Sequence, residues 1–109
     1  WDGRVHADEI GVSPSLAPKF ANVSVPYGAL VPERLDGLLA PGRHLACDAT
    51  SHSFLREIPQ CWLTGQAAGV AAALAADAGI EPRAVAPRAI RAALRRQGAH
   101  LQADVHAAA

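Results

Sequence analysis

The sequence predicts an α/β chain of short strands plus two helices whose core is too thin to stand alone, and three observations carry that prediction. Alanine supplies 25 of 109 residues, as many as Leu, Ile, Val and Phe together, so the 50% hydrophobic content consists largely of side chains that bury little area. A chain of this length also hides a smaller fraction of its surface than a larger domain does. Finally, a β-branched run near position 25 is followed by two proline-started helical segments. Together these point to a part of something larger.

Along the chain, residues 1–20 mix Gly, Ser, Pro and charges without a helix or strand period, which reads as an irregular arm. The main segment is 21–101. Residues 21–31 alternate and are rich in β-branched side chains, but Pro26 and Gly28 interrupt them, so a short edge strand entering a turn is expected. Residues 32–37 make a polar turn, and Leu38, Leu39 and Ala40 read as a brief apolar strand that Pro41, Gly42 and Arg43 end or bend. Leu45, Ala46 and Cys47 continue extended before a polar loop from Asp48 to Ser53.

A long helix is expected to begin at Pro59, where a missing N–H costs nothing, and to end before Gly79, which suits a left-handed cap. Gly65, Ala68, Gly69, Ala72 and Ala76 recur at spacings of three and four along it, so one face admits close approach of another backbone or a ligand. A second helix runs from about Pro87 to Gln97 and is stopped by Gly98. It carries an apolar stripe of Ala86, Ile90, Ala93 and Leu94, with Arg88, Arg91, Arg95 and Arg96 on its solvent side. Residues 102–109 read as a frayed tail.

Ten basic and ten acidic residues give no net charge, which argues against nucleic acid as a partner, and the arginines read as a solvated helix face. The longest apolar run, from Gly69 to Ala76, is far short of the roughly 20 residues a bilayer span needs. No membrane span is expected. Cys47 and Cys61 form no C-x-x-C pair and read as reduced thiols in a cytoplasmic protein. Because the chain starts at Trp1 and contains no methionine, a start created by processing, cleavage or truncation is expected.

Polar chemistry concentrates between positions 44 and 60: His44, Asp48, Ser51, His52, Ser53, Arg56, Glu57, Pro59 and Gln60, ending at the amino end of the long helix. The unpaired N–H groups and the dipole there favour an anionic or electron-rich group, and Gly42 allows close backbone contact. A solvated loop capping its own helix is the alternative. His44, Cys47, Asp48 and His52 match no zinc spacing, and Cys61 lies inside a helix, so neither a metal centre nor a Cys–His nucleophile is expected.

Residues 25–75 read VPYGALVPERLDGLLAPGRHLACDATSHSFLREIPQCWLTGQAAGVAAALA, with Pro26-Tyr27, Leu30 and Pro32, Leu38-Leu39, Gly42-Arg43, His52, Arg56, Pro59 and Cys61, then Gly65, Ala67, Ala68 and Gly69. This series resembles the C-terminal signature of FAD-dependent oxidoreductases of the glutathione-reductase-like Rossmann superfamily. Gly79-Ile80 and the segment from Pro87 to Leu101, with Gln97-Gly98, are similar to the family's closing helix, so the resemblance covers about residues 24–101. It implies an incomplete C-terminal portion of an FAD-binding Rossmann-like domain, which needs a partner chain or a missing N-terminal part. The strand at Leu38 would join the FAD-binding sheet, and the helix at Pro59 would point its amino end at the pyrimidine side of the flavin, where negative charge develops on reduction.

The resemblance further implies that Gly42 and Arg43 lie against the cofactor, that the loop from Asp48 passes near it, and that Arg56, Pro59 and Gln60 sit closest to the ring. His52 and Arg56 are the catalytic candidates, the first as proton acceptor or donor and the second as a fixed cation; a purely structural His52 is the alternative. The sequence departs from the family's pattern at Ser53 and Phe54, where a glycine and a small residue are common, so a differently shaped loop is expected. It also lacks the G-x-G-x-x-G that holds the FAD diphosphate. A larger FAD-binding polypeptide with that motif is therefore the expected partner, together with a small-molecule substrate and a non-covalent FAD, and the chain is not expected to act alone. A non-catalytic interaction subunit is the rival reading.

Overall fold

The computed structural model describes residues 5–13 and 23–101, and the tail from 102 lies outside them. Two strands, β1 (Glu9–Ser13) and β2 (Val23–Pro26), pair antiparallel. Three helices follow: α1 (Ala49–Leu55), α2 (Ile58–Ala78) and α3 (Pro87–Arg96). Part of the arm that was expected to lack regular structure thus forms β1. The ladder shifts register between Glu9 and Gly11, so Ile10 bulges out of the pairing. That bulge lets Glu9, Ile10 and Gly11 all turn inward, which strict alternation forbids.

β2 ends where the sequence signals its end, at Pro26, and passes into a short 3-10 turn, Tyr27–Leu30. The expected strand at Leu38, Leu39 and Ala40 is not one. Its residues run as irregular chain, tied by Ala40 N–H donating to the Leu30 carbonyl (2.7 Å), while Leu38 stays exposed. A strand needs a neighbour to complete its ladder, and within the described residues none lies beside this segment. Leu45 is extended in backbone, as expected, but the chain bends at Leu45 and Ala46 and forms no strand there.

The second correction concerns the polar loop at Asp48, which is helical. Asp48 caps α1 by accepting a hydrogen bond from Ser51 N–H (2.7 Å), an N-cap signal present in the sequence. The departures at Ser53 and Phe54 fall in this helix. Ser53 Oγ donates to the Thr50 carbonyl (2.6 Å) and Phe54 packs against the core.

The long helix behaves as expected at its far end, where Gly79 (φ 66°) adopts the left-handed conformation and Ile80 N–H returns to the Ala75 carbonyl (3.0 Å). It starts one residue early, so Pro59 occupies its second position. Its buried side is Thr64, Ala67, Ala68, Ala71 and Ala75. These small residues bring α2 close to its neighbours, and on β1 the approach is tight: a Cβ on Gly11 would overlap the Leu63 side chain. Of the expected small-residue face, Ala68 is buried, whereas Gly65, Gly69, Ala72 and Ala76 are exposed, with nothing among the described residues within 4 Å of where a Cβ on either glycine would sit.

α3 buries Ile90, Ala93 and Leu94, whereas Ala86 is its exposed N-cap instead of part of the stripe. Arg91 is likewise not on the solvent side. It is half-buried and donates to the carbonyls of Ala7 (2.7 Å) and Glu9 (3.4 Å), fastening β1 to α3. Around these contacts the core gathers Ile10, Val25, Tyr27, Leu30, Leu45, Leu55, Val85, Ile90 and Leu94 over the buried alanines. A last corner is closed by Arg83, which bonds Asp36 (2.8 Å) and the carbonyls of Pro32 (2.9 Å) and Leu35 (3.2 Å), next to Tyr27 OH on the Pro82 carbonyl (2.6 Å).

Candidate functional site

The site begins with a backbone turn. Pro41 fixes an extended approach, and Gly42 then takes φ 84°, a conformation that costs a residue with a Cβ roughly 1 kcal/mol or more. The 3-10 turn Gly42–His44 follows, closed by Leu45 N–H on the Gly42 carbonyl (3.2 Å). Among the described residues no atom lies within 4 Å of where a Cβ on Gly42 would project, so among them this backbone is open to an approaching group.

Two contacts hold the turn. Gly42 N–H donates to Thr64 Oγ1 of α2 (2.9 Å), and His52 of α1 donates from Nε2 to the Arg43 carbonyl (3.0 Å). Since a carbonyl only accepts, His52 carries its hydrogen on Nε2 and keeps Nδ1 as its acceptor. Arg43 itself is exposed.

From this turn the chain runs through α1 into the amino end of α2. The two helices end differently. α1 is capped by Asp48, whose exposed carboxyl is held below the usual carboxylate range chiefly by its hydrogen bond from Ser51 N–H. α2 has Glu57 at its N-cap, whose carboxylate makes no capping hydrogen bond, and its first turn carries no acidic residue, so its leading N–H groups have no side-chain cap. Ile58 and Trp62 stand out there, 58% and 72% exposed. Beside Asp48, burial first and the neighbouring carboxylate second push the Cys47 thiol up, away from nucleophilic character.

The expected site residues therefore divide. Gly42, Arg43 and His52 come together at one turn. Asp48 is nearby but engaged in capping α1. Arg56 is the C-cap of α1, with Nε donating to the Ser53 carbonyl (3.4 Å), and Gln60 is half-buried in the first turn of α2. Pro59 looks elsewhere, lining a groove of about 410 Å³ with Ile10, Val12, Trp62, Leu63 and Leu94. At 100° per residue it lies about 140° around α2 from Thr64.

Thr64 is the residue that sequence reasoning missed. A threonine inside an alanine helix gives no motif, and only its complete burial, 0% exposed, marks it. Among the described residues no group of three or more His, Cys, Asp or Glu is placed to hold a metal ion, and no helix is long and apolar enough to cross a membrane.

A turn with accessible backbone, an exposed arginine beside it and a helix end without a side-chain cap stand together on a small α/β scaffold. Residues 5–94 match the sequence profile of the FAD dependent oxidoreductases, and the chain belongs to that family, whose cofactor is FAD. No curated protein and no solved structure matches it. Two strands and three helices are consistent with part of an α/β flavin-binding domain.

Proposed function

We propose that this chain is the C-terminal part of a glutathione-reductase-like Rossmann flavoprotein, as a segment or as a small subunit, and that it supplies one wall of the flavin pocket. The observation that carries the reading is the placement of the Gly42 turn on α2, close to the uncapped amino end of that helix. The residues fit one side of an FAD: an open glycine backbone, the exposed Arg43 and Arg56, and N–H groups at a positive helix end suited to an electron-rich edge. The diphosphate cradle is supplied by a larger polypeptide carrying G-x-G-x-x-G, since no such spacing exists in this chain.

When bound, FAD supplies hydride transfer to or from an organic substrate. This chain's residues bind and orient. Gly42 and Arg43 rest against the cofactor, and Arg56 offers a fixed cation for an oxygen of substrate or ring. His52 holds the Arg43 turn through Nε2 and has Nδ1 left to take or give a proton. Gln60 completes the wall at the head of α2, while Pro59 faces the neighbouring groove. The cofactor is non-covalent, the assembly is a hetero-oligomer if the two parts are separate chains, and free thiols at Cys47 and Cys61 suit the cytoplasm.

The exposed apolar face of α2 also favours a second reading, an interaction subunit that packs on a larger partner without touching a cofactor. Colour separates the two. The protein purified with its co-purifying polypeptide is expected to be yellow, and Arg56→Gln is expected to reduce turnover while assembly persists. A colourless complex, or unchanged absorbance and rate in Arg56→Gln and Gly42→Ala, would favour the interaction subunit.

A further inference from the structure

We propose that Thr64 is a positioning residue for the flavin wall, acting through the Gly42 turn; this rests on the reading that the turn contacts FAD. A threonine inside a helix ordinarily spends its hydroxyl on a carbonyl one turn back. Thr64 does so, lying 3.1 Å from the Gln60 carbonyl and 3.2 Å from that of Cys61, and thereby directs its single O–H into its own helix. That leaves its oxygen lone pairs as acceptors, and one receives Gly42 N–H at 2.9 Å.

The hydroxyl is thus a relay between two backbones. It fixes the height of the Gly42 turn along α2, about 9 Å from the first helical residue at 1.5 Å per residue. Among the described residues nothing lies within 4 Å of where a Cβ on Gly42 would project, and Pro41 before it makes no side-chain cap, so the bond to Thr64 is what ties Gly42 N–H to α2. Thr64 is fully buried, so its hydroxyl is held in place for this bond, and its loss removes the acceptor of the Gly42 N–H and lets the turn drift from the helix.

Valine keeps the shape of threonine without its hydroxyl, and serine keeps the hydroxyl without its methyl group. In the complex purified with its FAD-binding polypeptide, Thr64→Val is expected to weaken FAD binding about ten-fold, on the scale of one neutral hydrogen bond. It is also expected to shift the absorption bands of the flavin that remains bound. Thr64→Ser is expected to stay within about two-fold of wild type with unchanged bands. A yellow wild type with a Thr64→Val variant of unaltered affinity and spectrum overturns the inference. Where the valine variant does not assemble, the serine variant decides: retained affinity and bands support the relay, and a folded serine variant that has lost FAD overturns it. A colourless wild type overturns the flavin reading itself, and the role of Thr64 with it.

Discussion

The two sides of α2 are made of nearly the same residues and do opposite things. On one side Thr64, Ala67, Ala68, Ala71 and Ala75 are buried against β1, the Gly42 turn and α3. On the other, Ile58, Trp62, Gly65, Gly69, Ala72 and Ala76 are exposed, with nothing within 4 Å of where a Cβ on either glycine would sit. A helix apolar all round is built to be covered all round. The difference teaches that the core of the described residues uses one side of α2, and that the other side stays uncovered among them.

Substitutions on the two sides should therefore differ in sign. The largest effect is expected from Ala71→Leu: the site is 0% exposed, and overpacking there should cost about 1–3 kcal/mol in denaturant unfolding. A neutral result would mean that the inner side is not close-packed. Next is Tyr27→Phe, which removes the bond to the Pro82 carbonyl beneath the same core and should cost about 1 kcal/mol.

Burial raises the Tyr27 phenol above its ordinary 10.0, so its contribution is full below that pH and fades as pH climbs through the higher folded value. Alkaline unfolding should show a loss that the phenylalanine variant lacks. On the outer side the sign reverses. Gly65→Ala and Gly69→Ala should each stabilise the isolated chain by about 0.5–1 kcal/mol, because alanine is the better helix former. A larger residue such as Gly69→Leu should leave that stability intact and, on the proposal that this side packs on a larger polypeptide, abolish co-purification with it. If both sides respond alike, the outer side is not an interface.

The smallest effect is expected at the cap of α1. Its carboxyl is depressed below 3.8, so the stabilisation is present above that value and is lost as pH falls through the lower folded one. Amide exchange at Ser51 should accelerate only in that acid range, and should become independent of it in Asp48→Ala.

Legibility in the sequence followed how local each signal is. Pro59, Gly79, Pro87 and Gly98 are punctuation that acts within a turn or two, and α2 and α3 lie where those residues put them. The cap at Asp48 was equally local, but a polar sequence after it reads as loop until the Phe54 and Leu55 anchors are seen in the core. Leu38 to Ala40 failed for the converse reason, since apolar character alone makes no strand where no neighbour lies alongside. The bulge at Ile10 depends on its pairing with β2 and the Arg91 clasp on partners more than 80 positions away, neither of which periodicity records. Of the candidate site, the cluster of Gly42, Arg43 and His52 was visible as spacing, whereas Thr64 was not, because its role is set by a contact across 22 positions.

The corner at Arg83 has an evolutionary corollary. Two of its three anchors are main-chain oxygens, at positions 32 and 35, which survive any exchange of the side chains that bear them. Drift at Leu35, Glu33 or Arg34 should be tolerated so long as the path of the peptide is kept, while Asp36 and the guanidinium are the letters that must be spelled correctly.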